Sequence, residues 1–167
     1  MKRILLIDNA YLEHIASMRL DYRKVAEHFE VEQTIVYDCV QDGSTKARFI
    51  DALRYLPGFT VKLGKIQEHP SGSYHTTNPG VYVPPVQKMV DVMLALDIVK
   101  ASQRFDNVIV LTGDCDFVPA FQEAQNNLCM VTLVHMDKVD QELVMAANQT
   151  VLFGLKIQEK CRLEKVA

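Results

Sequence analysis

Apolar positions along the chain fall into short continuous runs, separated by longer stretches with helical spacing. Ile4–Ile7 is continuous and stops at Asp8. Thr34–Cys39 is rich in β-branched and aromatic residues and carries Asp38 near its end. Thr60–Ile66 alternates Val61, Leu63 and Ile66 with lysines and reads as an edge strand. Val108–Thr112 runs into Gly113-Asp114, Val131–His135 runs into Met136-Asp137, and Val151–Leu155 offers a sixth short strand. Continuous β-branched runs predict strands covered on both faces, as in a parallel sheet. Helical patterns fill the intervals: Ala10–Glu30, Thr45–Tyr55, Pro85–Arg104 with Pro85 in its first turn, Phe117–Asn126 and Lys138–Ala147. Strands alternating with helices predict an α/β architecture, a central and mainly parallel sheet of five to six strands flanked by helices.

Residues 68–84 break this rhythm with prolines, glycines, His69, His75, Tyr74 and Tyr82. The stretch reads as a long loop, and loops of that length in a domain often carry function. No repeat or linker divides the 167 residues, so the expectation is one domain over 1–167. The charge balance is 18 − 21 = −3, which excludes a generic polycation coating nucleic acid but permits a local basic groove. Residues 44–65 carry Lys46, Arg48, Arg54, Lys62 and Lys65 against Asp51 and form the candidate basic approach. Tyr74 and Tyr82 could stack on unpaired bases. Cys39, Cys115, Cys129 and Cys161 are far apart with no C-x-x-C pair, so they read as reduced thiols. The apolar start is too short for a secretory signal, and no stretch approaches the ~18 apolar residues of a membrane span. A cytoplasmic protein without a membrane partner is expected.

The candidate chemistry is acidic. In Leu111-Thr112-Gly113-Asp114-Cys115-Asp116-Phe117 a strand enters a glycine turn and two carboxylates follow at i and i+2. Gly113 would permit backbone geometry that other residues resist. A helix cap accounts for one of these aspartates more readily than for both. Asp8 ends the first strand, and ligands of parallel α/β sheets bind beyond the strand carboxyl ends where the connection order reverses. If the first and fourth strands adjoin there, Asp8, Asp114 and Asp116 converge. Crowded carboxylates repel unless a cation neutralises them, and hard oxygen donors suit Mg²⁺ or Mn²⁺. Asp91, in the apolar helix pattern, is a fourth candidate ligand. Asp97 lies elsewhere on that helix and reads as a structural hydrogen-bonding group. Lys88, three residues before Asp91, could contact a phosphate. Cys115 between two aspartates is a poor nucleophile, because like charge disfavours its thiolate.

Three segments resemble a known family. Leu6-Ile7-Asp8-Asn9-Ala10-Tyr11-Leu12 is similar to an opening motif, apolar-I-D-N-x-N-L. Lys88-Met89-Val90-Asp91-Val92-Met93-Leu94-Ala95-Leu96-Asp97 is similar to K-G-x-D-V-x-L-x-x-D. Val110-Leu111-Thr112-Gly113-Asp114-Cys115-Asp116-Phe117-Val118-Pro119 is similar to L-x-S-G-D-x-D-F-x-P. In this order they resemble the NYN domain proteins of the LabA/DUF88 group, within the PIN-like nuclease superfamily. The resemblance implies a three-layer, Rossmann-like PIN fold and an Mg²⁺ or Mn²⁺ site at Asp8, Asp91, Asp114 and Asp116, serving as both metal ligands and catalytic residues. It implies a metal-dependent ribonuclease, with RNA, single-stranded RNA included, as partner. Asn9, Lys88 and Thr112 are the expected substrate-side residues, with the Thr112 hydroxyl orienting the acidic turn. Self-association into a homo-oligomer is compatible with this. The chain departs from the motifs at Tyr11, Met89 and Leu128-Cys129, and at Asn148, where the family has an aspartate. Tyr11 and Asn148 favour the alternative, a non-catalytic regulator or adaptor keeping a metal- or nucleotide-binding pocket.

Overall fold

The computed structural model describes residues 1–40, 43–67, 86–136 and 138–164. The expected loop at 68–84, with its histidines and tyrosines, and Pro85 lie outside them.

Six strands form one sheet: β1 (Arg3–Asp8), β2 (Gln33–Asp38), β3 (Phe59–Leu63), β6 (Asn107–Leu111), β7 (Met130–His135) and β8 (Gln149–Leu152). Their order is β3-β2-β1-β6-β7-β8, and every pairing is parallel. The chain therefore builds outward from β1 through β2 to β3, then returns to lay β6 against the other side of β1. The reversal opens a crevice between the carboxyl ends of β1 and β6, where ligands of such sheets bind. A separate antiparallel ribbon pairs β4 (Lys65–Gln67) with β5 (Val86–Lys88).

Side-chain alternation along the strands splits the core into two apolar layers. Ile4, Leu6, Val108, Val110, Val131 and Leu133 face α4 (Val90–Ser102), α5 (Val118–Asn126) and α6 (Gln141–Ala146). Leu5, Ile7, Val36, Ile109, Leu111 and Val134 face α1 (Asn9–Ile15), α2 (Tyr22–His28), α3 (Thr45–Leu53) and α7 (Leu155–Lys160). Burial on both faces explains the unbroken apolar runs.

Several boundaries differ from the sequence expectation. The Ala10–Glu30 pattern is two helices. It breaks after Ile15, where Ser17 binds the buried Gln158 side chain and Asp21 begins a new helix by accepting from the Arg23 N–H. The helix expected from Pro85 starts at Val90, because residues 86–88 are committed to the ribbon. The last strand is Gln149–Leu152, followed by the unanticipated α7. Phe59–Leu63 is indeed an edge strand. Asp97 has the expected structural role: its carboxylate accepts from the buried Tyr37 hydroxyl (2.6 Å) and pairs with Lys62, tying α4 to β2 and β3.

Gly64 is needed where the chain passes beneath α4. A Cβ there would lie 2.4 Å from the Lys88 carbonyl oxygen and 2.7 Å from both Cys39 Sγ and Val90 Cγ2. Among the described residues no helix is long and apolar enough to cross a membrane. All four cysteines are free, three of them buried.

Candidate metal centre

Asp8 is the last residue of β1 and caps α1. Its Oδ1 accepts from the Tyr11 N–H (3.2 Å) and its Oδ2 from the Thr112 hydroxyl (3.2 Å). Thr112 follows β6 across the crevice. The same hydroxyl oxygen accepts from the Asp114 backbone N–H (3.3 Å), so one side chain links the Asp8 carboxylate to the backbone of Asp114. Asp114 then caps a single 3₁₀ turn, Cys115–Phe117, by accepting from the Asp116 N–H (2.9 Å). One aspartate of the pair is thus a cap, while Asp116 and Asp114 both remain exposed. Donor atoms of Asp114, Cys115 and Asp116 lie within 4.8 Å of one another. Asp91 joins from the first turn of α4, exposed to solvent.

Asp8 and Asp91 lie outside that 4.8 Å grouping but within electrostatic reach of it. Burial is the main cause raising the Asp8 carboxyl above its ordinary 3.8, and the charges of Asp91 and Asp114 push the same way. Desolvation likewise raises Asp91, with Asp114 and Asp116 adding to it. No described lysine or arginine forms an ion pair with any of the four. An uncompensated set of hard oxygen donors at a strand-end crevice fits a divalent cation. The Cys115 thiol is raised by desolvation and by Asp140, Asp114 and Asp116, so it is held as the weakly reactive thiol. Asp140, the cap of α6, is an acid near this cluster that sequence reasoning passed over. Only the tertiary approach of α6 brings it there.

The expected substrate-side residues separate. Lys88 is exposed, on the segment leading into α4. Thr112 is 0% exposed, so it serves the carboxylates rather than a bound molecule. Asn9 is also 0% exposed and turned away from the crevice. It donates to Asp38 and to Glu13 (3.2 Å) and accepts from the Tyr22 hydroxyl. A fully buried amide committed in this way presents nothing to a substrate. Asp38 ends β2 as Asp8 ends β1, yet it stays out of the acidic cluster because Lys46 neutralises it at 3.0 Å.

Gly113 plays a different part from the one expected. Its backbone is not left-handed, since the positive-φ glycines of the described residues are Gly43 and Gly58. It is required because the Tyr11 ring lies against it: a Cβ would sit 2.3 Å from Tyr11 Cε2. The Tyr11 hydroxyl accepts from the Met136 N–H (3.1 Å) at the end of β7. Tyr11 thus spans the ends of β1, β6 and β7. Asn148, in place of the family's aspartate, accepts from the Val131 N–H (2.7 Å) and Gln125 (3.1 Å). It fastens β7 rather than adding an acid. The basic segment is also partly spent: Lys46 pairs with Glu13 and Asp38, Lys62 with Asp97, and Arg54 with Asp51. Among the described residues this leaves Arg48 and Lys65 without an ion pair in that segment.

The acidic turn thus lies at the switch point of the sheet, the place where ligands of open α/β sheets bind. The NYN domain model matches residues 2–154, and the chain belongs to that family, within the PIN-like superfamily. Such domains generally bind nucleic acid, and the nucleases among them usually use divalent metals. No curated protein matches the chain. The fold is similar to the crystal structure of a protein of unknown function, VPA0982, from Vibrio parahaemolyticus RIMD 2210633. That similarity has a TM-score of 0.70 at 21% identity, covering 92% of this chain and 93% of the other. A β-glucosidase involved in saponin metabolism from intestinal bacteria aligns at a TM-score of 0.32 and 13% identity, over 81% of this chain and 21% of that one, and bears on nothing further.

Proposed function

We propose that the chain is a metal-dependent ribonuclease that hydrolyses phosphodiester bonds at the acidic cluster. The observation that supports this is the Asp114–Asp116 turn beside the end of β1, with Asp8 and Asp91 in electrostatic reach and no ion-pairing lysine or arginine on any of the four among the described residues. Mg²⁺ or Mn²⁺ bound there would polarise the scissile phosphate and acidify a water.

The chain's own residues would do the rest. Asp8, Asp114 and Asp116 hold the cation. Thr112 fixes the separation of the first two by donating to one and accepting from the backbone of the other. Asp91, exposed on α4, orients the attacking water by accepting its hydrogen. Lys88 draws the phosphate toward the acids and offsets charge developing on it. Asn9 acts indirectly, by holding the first turn of α1 against β2.

Cleavage of an end-labelled single-stranded RNA with Mn²⁺ or Mg²⁺ tests this, with Asp114→Asn and EDTA as controls. Metal-dependent cutting by the wild type and none by the variant is expected. A second reading, a non-catalytic regulator that keeps the metal pocket, is favoured by Tyr11, whose ring stands over Gly113 in the crevice. It takes over if the wild type cuts no RNA or DNA yet still binds Mn²⁺.

A further inference from the structure

Away from the acidic cluster, a cavity of about 570 Å³ opens between the C-terminal half of α1, the α1–α2 connection, the start of α3 and the C-terminal segment. That volume lies within the ~300–1,000 Å³ of small-molecule sites. Its walls are apolar, supplied chiefly by Leu12, Met18, Leu20, Phe49 and Leu163. Phe49 meets Tyr22 edge to face at 5.4 Å, giving one wall an aromatic surface. Phe49 itself stays partly exposed.

The polar groups lining the cavity are mostly committed elsewhere. Glu13 accepts from Asn9 at one oxygen and pairs with Lys46 (2.7 Å) at the other. Lys46 is shared between Glu13 and the buried Asp38, and the Tyr22 hydroxyl is donated to Asn9. Ser17 donates to Gln158 (2.9 Å). Among the described residues, Arg19 is the one charged residue lining the cavity that forms no ion pair within 4.0 Å. Its guanidinium offers five donors and no acceptor. The Glu13–Lys46–Asp38 triad sums to one negative charge, so an anion is favoured at Arg19 and disfavoured beside Glu13.

We propose that this cavity binds a small aromatic anion, its planar body against Phe49 and Tyr22 and its acidic group at Arg19. The fit rests on an apolar interior of ligand size with one unspent cationic donor. It is independent of the ribonuclease reading, since none of the four acidic residues lines the cavity.

Two fluorescent probes separate the contributions: 8-anilinonaphthalene-1-sulfonate, and N-phenyl-1-naphthylamine, which has the same body without the sulfonate. The folded wild type should bind the sulfonate one to one, at least about fivefold tighter than the neutral probe, as one charge-assisted hydrogen bond supplies. Arg19→Gln should bring the two affinities within about twofold. Thr45→Trp, at an exposed helix position on the cavity lining, should abolish both while leaving the circular dichroism unchanged. Asp114→Asn should bind the sulfonate as the wild type does. Equal affinity for the two probes in the wild type, or unchanged binding in a folded Thr45→Trp protein, overturns the proposal.

Discussion

Replacing Gly113 by alanine tests whether the acidic turn is held by the Tyr11 ring. The added Cβ would lie 2.3, 2.8 and 3.0 Å from Cε2, Cζ and Cδ2 of that ring. Ordinary carbon contact is ~3.5 Å, so the ring must retreat by roughly 1 Å. It is poorly placed to do so. Its backbone N–H is bonded to Asp8 and its hydroxyl to the Met136 N–H, one at each end of the side chain. Overpacking costs about 1–3 kcal/mol and a strained or lost hydrogen bond about 1 more. The expected loss is therefore about 2–4 kcal/mol, which for a chain of this length lowers Tm by roughly 5–15 °C. Urea unfolding followed by circular dichroism measures it. The decisive comparison is the double variant. In a Tyr11→Ala background there is no ring to strike, and Gly113→Ala should cost under about 0.5 kcal/mol or even stabilise by restricting the unfolded chain. The coupling energy between the two sites should then be about 2 kcal/mol or more. Additive effects, with coupling under about 0.5 kcal/mol, would refute the claim that Tyr11 makes glycine necessary here.

Asp114→Asn keeps the 3₁₀ cap but removes a charge that raises Asp8 and Asp91. Raised carboxyls stabilise the fold fully below 3.8, and that stability is lost as pH rises through their folded values. The metal-free variant should therefore melt higher than the wild type at pH 7 and equal to it at pH 3, while added Mn²⁺ should raise the wild type more; scanning calorimetry at both pH values checks this. Met89 and Leu128 hold φ of 77° and 63°, with Met89 50% and Leu128 95% exposed. Met89→Gly and Leu128→Gly should each stabilise by about 1 kcal/mol in chemical denaturation, because glycine relieves the left-handed strain and little packing is lost. Lys46→Met leaves the buried Asp38 carboxylate without its cation and should destabilise by about 3 kcal/mol; Lys46→Arg, measured beside it, should recover most of that.

Met89 and Leu128, two of the three non-glycine residues with positive φ, show how much local chemistry was legible. The family's K-G-x-D motif has glycine at Met89, and that position precedes α4 with positive φ. Leu128 ends α5, where the Leu128 N–H reaches the Gln125 carbonyl (2.8 Å) and the Cys129 N–H the Ala124 carbonyl (3.2 Å), a Schellman turn. The helix pattern placed the end of α5 at Asn126, and the motif's glycine falls at Met89, although the helix pattern itself ran on from Pro85. They did not reveal that residues 86–88 pair with 65–67, because a three-residue ribbon is held by a remote partner and leaves no periodicity.

Local composition determined the strand runs, most helices and the strand-end aspartates, since burial on two faces demands continuous apolar residues and strand ends are where polar ones return. Tertiary structure decided which aspartates meet. Asp8 and Asp38 end adjacent strands in the same local context, but Lys46 and Asn9 bury and bind Asp38 while Thr112 turns Asp8 toward Asp114. It also moved Asn9 out of the site and made Gly113 a matter of contact with Tyr11 rather than of backbone freedom. The reason is common to all three. A residue's type and spacing set what it can donate, accept or fill, whereas the β1-to-β6 reversal sets which partners, a hundred residues away, stand within reach.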